Sequence, residues 1–293
     1  MDNDRRNPIL PLDEESLSEF LEGRTLVSSS LFPLGKCNSN YKLTLSDGTV
    51  VVARVSNSGP NSKELRVMEL AQQCVKVPKV LYENAAIVVL EFLNGRNLES
   101  VPEYSRLAGV AIAQLSSVTF DASGSIEEDG SISAFDFGGV QGFIHSSLEN
   151  AGLAKRLGVE RKEKLLTLLC NKAQLLEELD SHTCFVHGDF NPTNILIHEG
   201  HLSGVLDWEF ALAGTPYMDI GNLLRNTPQS FHSEIENGLR EGGMDLPSDW
   251  KERAELVDLT SQLEFLMSSR SEEFKLTCIQ RIDNVIEQYG ESF

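Results

Sequence analysis

Positive charge is what this chain has least of. Its 293 residues carry 25 Lys and Arg against 44 Asp and Glu, a formal charge of −19. That balance repels nucleic-acid phosphates and anionic lipid headgroups, and no basic cluster offsets it, so neither is an expected partner. Long apolar runs are missing as well. The longest, AAIVVLEFL, is far short of the ~20 residues that span a bilayer, and the start MDNDRRNPILPLDEE lacks the apolar stretch of a secretory signal. Cysteine is sparse and unpatterned: Cys37, Cys74, Cys170, Cys184 and Cys278 are odd in number with no paired spacing. This excludes a disulfide framework or zinc knuckle and fits reduced thiols in a cytoplasmic protein. No repeat or low-complexity tract occurs, while 41% hydrophobic residues suffice for one large domain or two lobes.

The remaining pattern divides in two. After a short amphipathic helix in DEESLSEFLEG, SNYKLTL and TVVVARV read as strands joined by the turn Ser46-Asp47-Gly48. SKELRVMELAQQC reads as a helix, with Leu65, Met68 and Ala71 on one face, ending before Pro78. KVLYEN and AIVVLEFL form a second strand pair. From Asn94-Gly95 onward helices dominate, over roughly 103–118, 161–180, 217–225, 249–268 and 272–289, with a surface hairpin around Asp129-Gly130. A capping box is expected at Asp249–Glu252 and a helix stop at Gly290. The expected class is α+β, with a small β-rich lobe over residues 1–93 and a larger helical lobe over 94–293.

The chemistry concentrates in FVHGDFNPTNILIHEGHLSGVLDWE, Phe185 to Glu209. ILIH and LSGVLD flank Glu199-Gly200 and should pair as a hairpin, which brings Asn194, before the first strand, beside Asp207, at the end of the second. One carboxylate and one carboxamide oxygen suit a hard cation such as Mg²⁺ with phosphate completing its shell. Asp189, five residues before Asn194, can lie near that cation without binding it. A free carboxylate next to a metal-held phosphate is what transfer to a hydroxyl requires: it orients the alcohol and accepts its proton. The spacing Asp189-x4-Asn194 followed by Asp207 has the order of a kinase catalytic loop and metal-binding Asp, with Gly188 in place of the usual Arg.

VHGDFNPTNILI, GVLDWEFALAGTPYMDIGNLLR and GKCNSNYKLTL together resemble the aminoglycoside phosphotransferase and choline kinase-like family, over residues of about 30 to 270. The resemblance implies a bilobal protein-kinase-like fold that binds ATP or GTP with Mg²⁺ and phosphorylates a hydroxyl on a small molecule. It makes Asp189 the catalytic base, Asn194 and Asp207 the metal ligands, His187 a loop organiser and Asp219 a buried partner of the catalytic loop. Gly35, Ser39 and Asn40 would cover the phosphates. Arg54 stands where the family has a phosphate-binding Lys, with Lys42 as the alternative cation; Glu64, rather than Glu69, best fits the register of the carboxylate that pairs with it. The carbonyl of Glu91 and the amide of Leu93 would read the purine.

Rival readings remain at this level. A non-catalytic nucleotide-binding scaffold would share the fold, but the base and metal residues are all present. A peptide kinase is disfavoured, because only 12 residues separate Asp207 from Asp219, too few for a long activation loop. A hydrolytic metal site from His187, His198, His201 and Asp189 requires histidines at a hairpin tip to reach its far end. For the acceptor, Ser230–Asp258 holds eight acidic residues against three basic, which suggests a cationic aminoglycoside or amino alcohol; solvated helix faces explain the charges as well. Neutral sugars, macrolides and homoserine-like alcohols stay open. The chain is expected as a monomer or homodimer.

Overall fold

The computed structural model describes residues 7–32, 38–56 and 59–290. Its N-terminal part is an antiparallel five-stranded sheet in the order β1-β2-β3-β5-β4. The strands are β1 Leu26–Leu31, β2 Ser39–Leu45, β3 Val50–Val55, β4 Val80–Glu83 and β5 Ile87–Glu91. The β2–β3 turn falls at the expected place, with Gly48 at φ +84°, a backbone state that glycine adopts without strain. The apolar run of β5 is explained by burial on both faces. Ile87 and Val89 join Leu43, Ala53 and Phe20 of helix α1 (Ser18–Leu21) on one side. Val88 and Leu90 join Val67 and Met68 of helix α2 (Ser62–Ala71) on the other. That second cluster runs on without a break into the C-terminal core through Ile112, Phe185 and Trp208, so the two parts share one apolar interior.

Beyond β5 the chain turns into β6 (Arg96–Asn97), which pairs with β10 (Ile195–His198); β10 in turn pairs with β11 (His201–Val205). A second small sheet has the order β8-β7-β12-β9, from β7 (Gly124–Ile126), β8 (Ile132–Ser133), β9 (Cys184–Val186) and β12 (Leu212–Gly214). Around these pack α3 Ser105–Ser116, α4 Val140–Glu149, α5 Ala151–Leu157, α6 Val159–Asn171, α7 Ala173–Asp180, α8 Tyr217–Asn226, α9 His232–Glu241, α10 Trp250–Met267 and α11 Glu272–Tyr289. The architecture is the expected α+β arrangement of a sheet-rich N-terminal part and a helical C-terminal part.

Several details differ from the sequence reading. The helix expected over 161–180 breaks at Lys172 into α6 and α7, and α4, α5 and α9 were not anticipated. The capping box does not form: Asp249 Oδ1 instead accepts from Arg253 Nε one turn on, at 3.0 Å. Gly290 follows α11 at φ −73°, so the stop owes nothing to a left-handed glycine. The four described cysteines are free. Among the described residues no helix is long and apolar enough to cross a membrane.

Candidate active site

The strand β9 lies between α3 and β12 with Phe185 and Val186 buried, and it delivers the chain into the loop His187–Asn194 with little freedom. His187 is fully buried. Its Nδ1 accepts the Asp189 N–H at 3.2 Å and its Nε2 lies 2.9 Å from the Leu206 carbonyl, to which it donates. Packed within 4.5 Å of the Trp208 ring centroid, the imidazole loses its hydration, and burial pushes its pKa down to about 4. His187 is therefore a neutral brace between the loop and the strand end. It is not among the residues lining the cleft.

Gly188 explains the missing Arg of the kinase pattern. Its φ is +81°, and a Cβ there would sit 2.2 Å from the Phe210 carbonyl oxygen. Its N–H and that of His187 are both held by the Asp219 carboxylate, at 2.9 and 2.8 Å. Burial pushes the Asp219 carboxyl up to about 7, against the two N–H donors that favour the anion. Asp219→Asn keeps the shape but turns an NH₂ toward one of those donors. The expected loss is about 1–3 kcal/mol of stability. Thermal unfolding measures it, and an unchanged curve would contradict this role.

Asp189 is held from both sides. Asn191 Nδ2 donates to its Oδ1 at 2.8 Å, and Asn194 Nδ2 donates to its Oδ2 at 3.1 Å and to its backbone carbonyl at 3.0 Å. Asn191 was missed in the sequence reading, although Asn-Pro is a turn-forming dipeptide and its side chain also accepts from Thr193 N–H at 3.1 Å. With its amide nitrogen spent on Asp189, Asn194 has its carbonyl oxygen as the atom a cation would take. The Asn194 carbonyl of the main chain accepts the Leu206 N–H at 2.8 Å, which ties it to the segment carrying Asp207. Asp207 has φ +67°, an uncommon state for a non-glycine residue.

Across the cleft, Arg54 Nη1 lies 2.5 Å from Glu64 Oε1, and its Nε donates to Asn40 Oδ1 at 3.3 Å. Burial works against the Arg54 charge, but Glu64, with further help from Asp207 and Glu209, holds its pKa above the ordinary value. Glu69 pairs with Arg66 instead, and Lys42 lies over the Phe92 ring, 4.3 Å from its centroid. Ser39 is turned away: it is buried, and its Oγ accepts the Leu10 N–H at 2.9 Å. Gly35 lies outside the described residues. Glu91 and Leu93 line the cleft, with the Glu91 carboxylate drawn off to Lys76 Nζ at 2.8 Å.

Asn40, Arg54, Glu64, Asp189, Asn194 and Asp207 thus line one cleft of about 810 Å³. Among the described residues no three His, Cys, Asp or Glu side chains cluster tightly enough to hold an ion. One carboxylate and one carboxamide oxygen fit a magnesium ion whose remaining ligands are phosphate and water. The histidine alternative does not assemble. His198 and His201 face each other at the β10–β11 tip, exposed, while His187 is buried.

A family model described as the phosphotransferase enzyme family matches residues 30–256. Over 50 residues the chain is 44% identical to acyl-CoA dehydrogenase family member 11 of Mus musculus, a stretch amounting to 16% of this chain and 6% of that protein. The structure of macrolide 2'-phosphotransferase MphH from Brachybacterium faecium superposes with a TM-score of 0.68 at 16% identity, covering 93% of this chain and 98% of that one. A thermostable mutant of aminoglycoside phosphotransferase APH(4)-Ia, in ternary complex with AMP-PNP and hygromycin B, gives a TM-score of 0.69 at 16% identity, over 94% of this chain and 99% of that one. At such identities the likeness speaks for a shared kinase-like fold. Because the family match takes in strands β2 to β5, the loop around Asp189 and helices α2 to α9, the chain belongs to the phosphotransferase enzyme family.

Proposed function

We propose that this protein is a small-molecule kinase that moves the γ-phosphoryl group of ATP, or of GTP, onto a hydroxyl of a small acceptor in the cytosol. In this reading residues 1–93 form the nucleotide lobe and residues 94–293 carry the catalytic loop and acceptor site. The observation that carries it is the Asp189 carboxylate, fixed by two carboxamides and opening on the same cleft as the Arg54–Glu64 pair.

On this reading each side chain of the cleft has a role. Arg54 grips the triphosphate, with Glu64 keeping its guanidinium in place as a permanently charged, planar donor. Main-chain groups of Glu91 and Leu93 meet the purine, and those near Asn40 lie over the phosphates. Asn194 and Asp207 hold Mg²⁺, which supplies neutralisation of the phosphate charge. Asp189 orients the acceptor hydroxyl and takes its proton. A bond forms between the acceptor oxygen and the γ-phosphorus, the bond to the β–γ bridging oxygen breaks, and the nucleoside diphosphate leaves.

A coupled assay of ADP or GDP release against a broad panel of alcohols tests this. Turnover that needs both acceptor and divalent cation is expected. Nucleotide binding with no acceptor-stimulated release from any alcohol would favour a binding scaffold and overturn the reading.

A further inference from the structure

The acceptor class can be read from the side chains that line the cleft. The acidic residues of Ser230–Asp258, which first suggested a cationic acceptor, are not among its described lining residues. Five of the eight are paired elsewhere: Glu236 with Arg240, Glu241 with Arg106, Asp249 with Arg253, Glu252 with Lys172 and Asp258 with Arg225. Instead, three phenylalanines line the cleft, together with Glu99, Glu209 and Glu264. Phe135 and Phe137 stack with centroids 5.1 Å apart and planes 7° from parallel, and Phe143 of α4 meets Phe137 edge-on at 5.2 Å. Phe137 is 40% exposed, as is Phe210 at 47%, on the same cleft. A large apolar surface left open on the cleft that also holds Asp189 costs solvation free energy that an apolar ligand recovers.

This wall is built firmly. Gly142 of α4 sits against the Phe137 carbonyl, where a Cβ would come within 1.7 Å of the oxygen. Asp180 at the end of α7 also lines the cleft, but its Oδ1 accepts the Val140 N–H at 2.5 Å, so this carboxylate serves the aromatic segment. The β7–β8 hairpin that leads into the segment is anchored on α2: Glu127 pairs with Lys63, and Gly130 packs against the Arg66 guanidinium. The ring pair is thus presented from a fixed base, two strands away from β9 and the loop it feeds.

We infer that the acceptor end of the cleft binds a hydroxyl carried on a flat, uncharged, ring-containing apolar body, which stacks on the outer face of Phe137 with its alcohol toward Asp189. The inference rests on the proposed kinase reading, and its test is chosen to fail separately. The full chain, without nucleotide, is titrated with 2-(1-naphthyl)ethanol followed by fluorescence, in the wild type and in Phe137→Ser and Phe137→Leu. Choline, spermidine and glucose are measured by competition. The expected result is binding of the naphthyl alcohol that weakens about fivefold in Phe137→Ser and less in Phe137→Leu, with the three competitors binding more weakly than it does. No binding, equal affinity in wild type and Phe137→Ser, or tighter binding of choline, spermidine or glucose overturns it. If the alcohol binds through Phe137 while no alcohol in a broad panel stimulates ADP release, the subsite stands and the phosphoryl-transfer reading falls.

Discussion

Asn in place of Asp189 lowers phosphoryl transfer by a factor on the order of a hundred or more while nucleotide affinity persists. His187, two residues away, cannot take over the proton. The His187 imidazole has burial pushing it down to about 4 and both ring nitrogens engaged, by Leu206 and by the Asp189 N–H. Asn is the informative substitution because Asp189 also anchors its surroundings. Ala would leave the Asn191 and Asn194 amides only the main-chain carbonyl as acceptor, so loss of the proposed base and displacement of the proposed metal ligand would be confounded. With Asn, one acceptor oxygen remains and one carboxamide faces an unfavourable NH₂, a local cost of about 1–3 kcal/mol that calorimetry can register separately. The measurement is single-turnover kinetics beside nucleotide titration. Turnover equal to wild type would remove Asp189 from the proposed chemistry; a parallel fall in nucleotide affinity would mean that Asn194 had moved.

What the sequence made legible is what local chemistry controls. The turns at Ser46-Asp47-Gly48, Asp129-Gly130 and Glu199-Gly200 stand where glycine next to a polar residue demands a reversal, with Gly48, Gly130 and Gly200 all at positive φ. Asp189, Asn194 and Asp207 could be singled out because a single hairpin, β10–β11, sets the position of the last two. The parts that escaped depend on distant partners. Leucine periodicity continues through Lys172, so nothing local marks the break between α6 and α7. Asp249 had the residue type and spacing of a cap, yet an Arg one turn later, itself clamped by Glu178, competed for the carboxylate. Asn222, which donates to the Gly188 carbonyl at 3.1 Å, lies 34 residues from it, inside a stretch that carried the family resemblance but with no role read from it. The acidic count of Ser230–Asp258 left the acceptor open for the same reason: a sequence records charge, but which face of a helix it occupies is settled by packing.

Substituting Asp207 makes nucleotide affinity independent of Mg²⁺, because the triphosphate–metal complex loses the one carboxylate assigned to its cation. The two states of the ligand should respond in opposite senses. Asp207 is among the anions that sustain the Arg54 charge from across the cleft. Removing it leaves that guanidinium more fully available to phosphate, so metal-free nucleotide binds as well as before or better, while the Mg²⁺ complex binds worse, and the affinities converge. Asp207→Asn is the cleaner variant. At φ +67° the position lies in the left-handed region, which Asn tolerates and Ala does not, so Asp207→Ala adds backbone strain of about 1 kcal/mol to the electrostatic change. Titration calorimetry with ATP and an uncleaved analogue, each with Mg²⁺ and with chelator, measures all four affinities. A variant that still binds the Mg²⁺ complex more tightly than the free nucleotide, by the wild-type ratio, would take Asp207 out of the metal site and leave Asn194 without its partner.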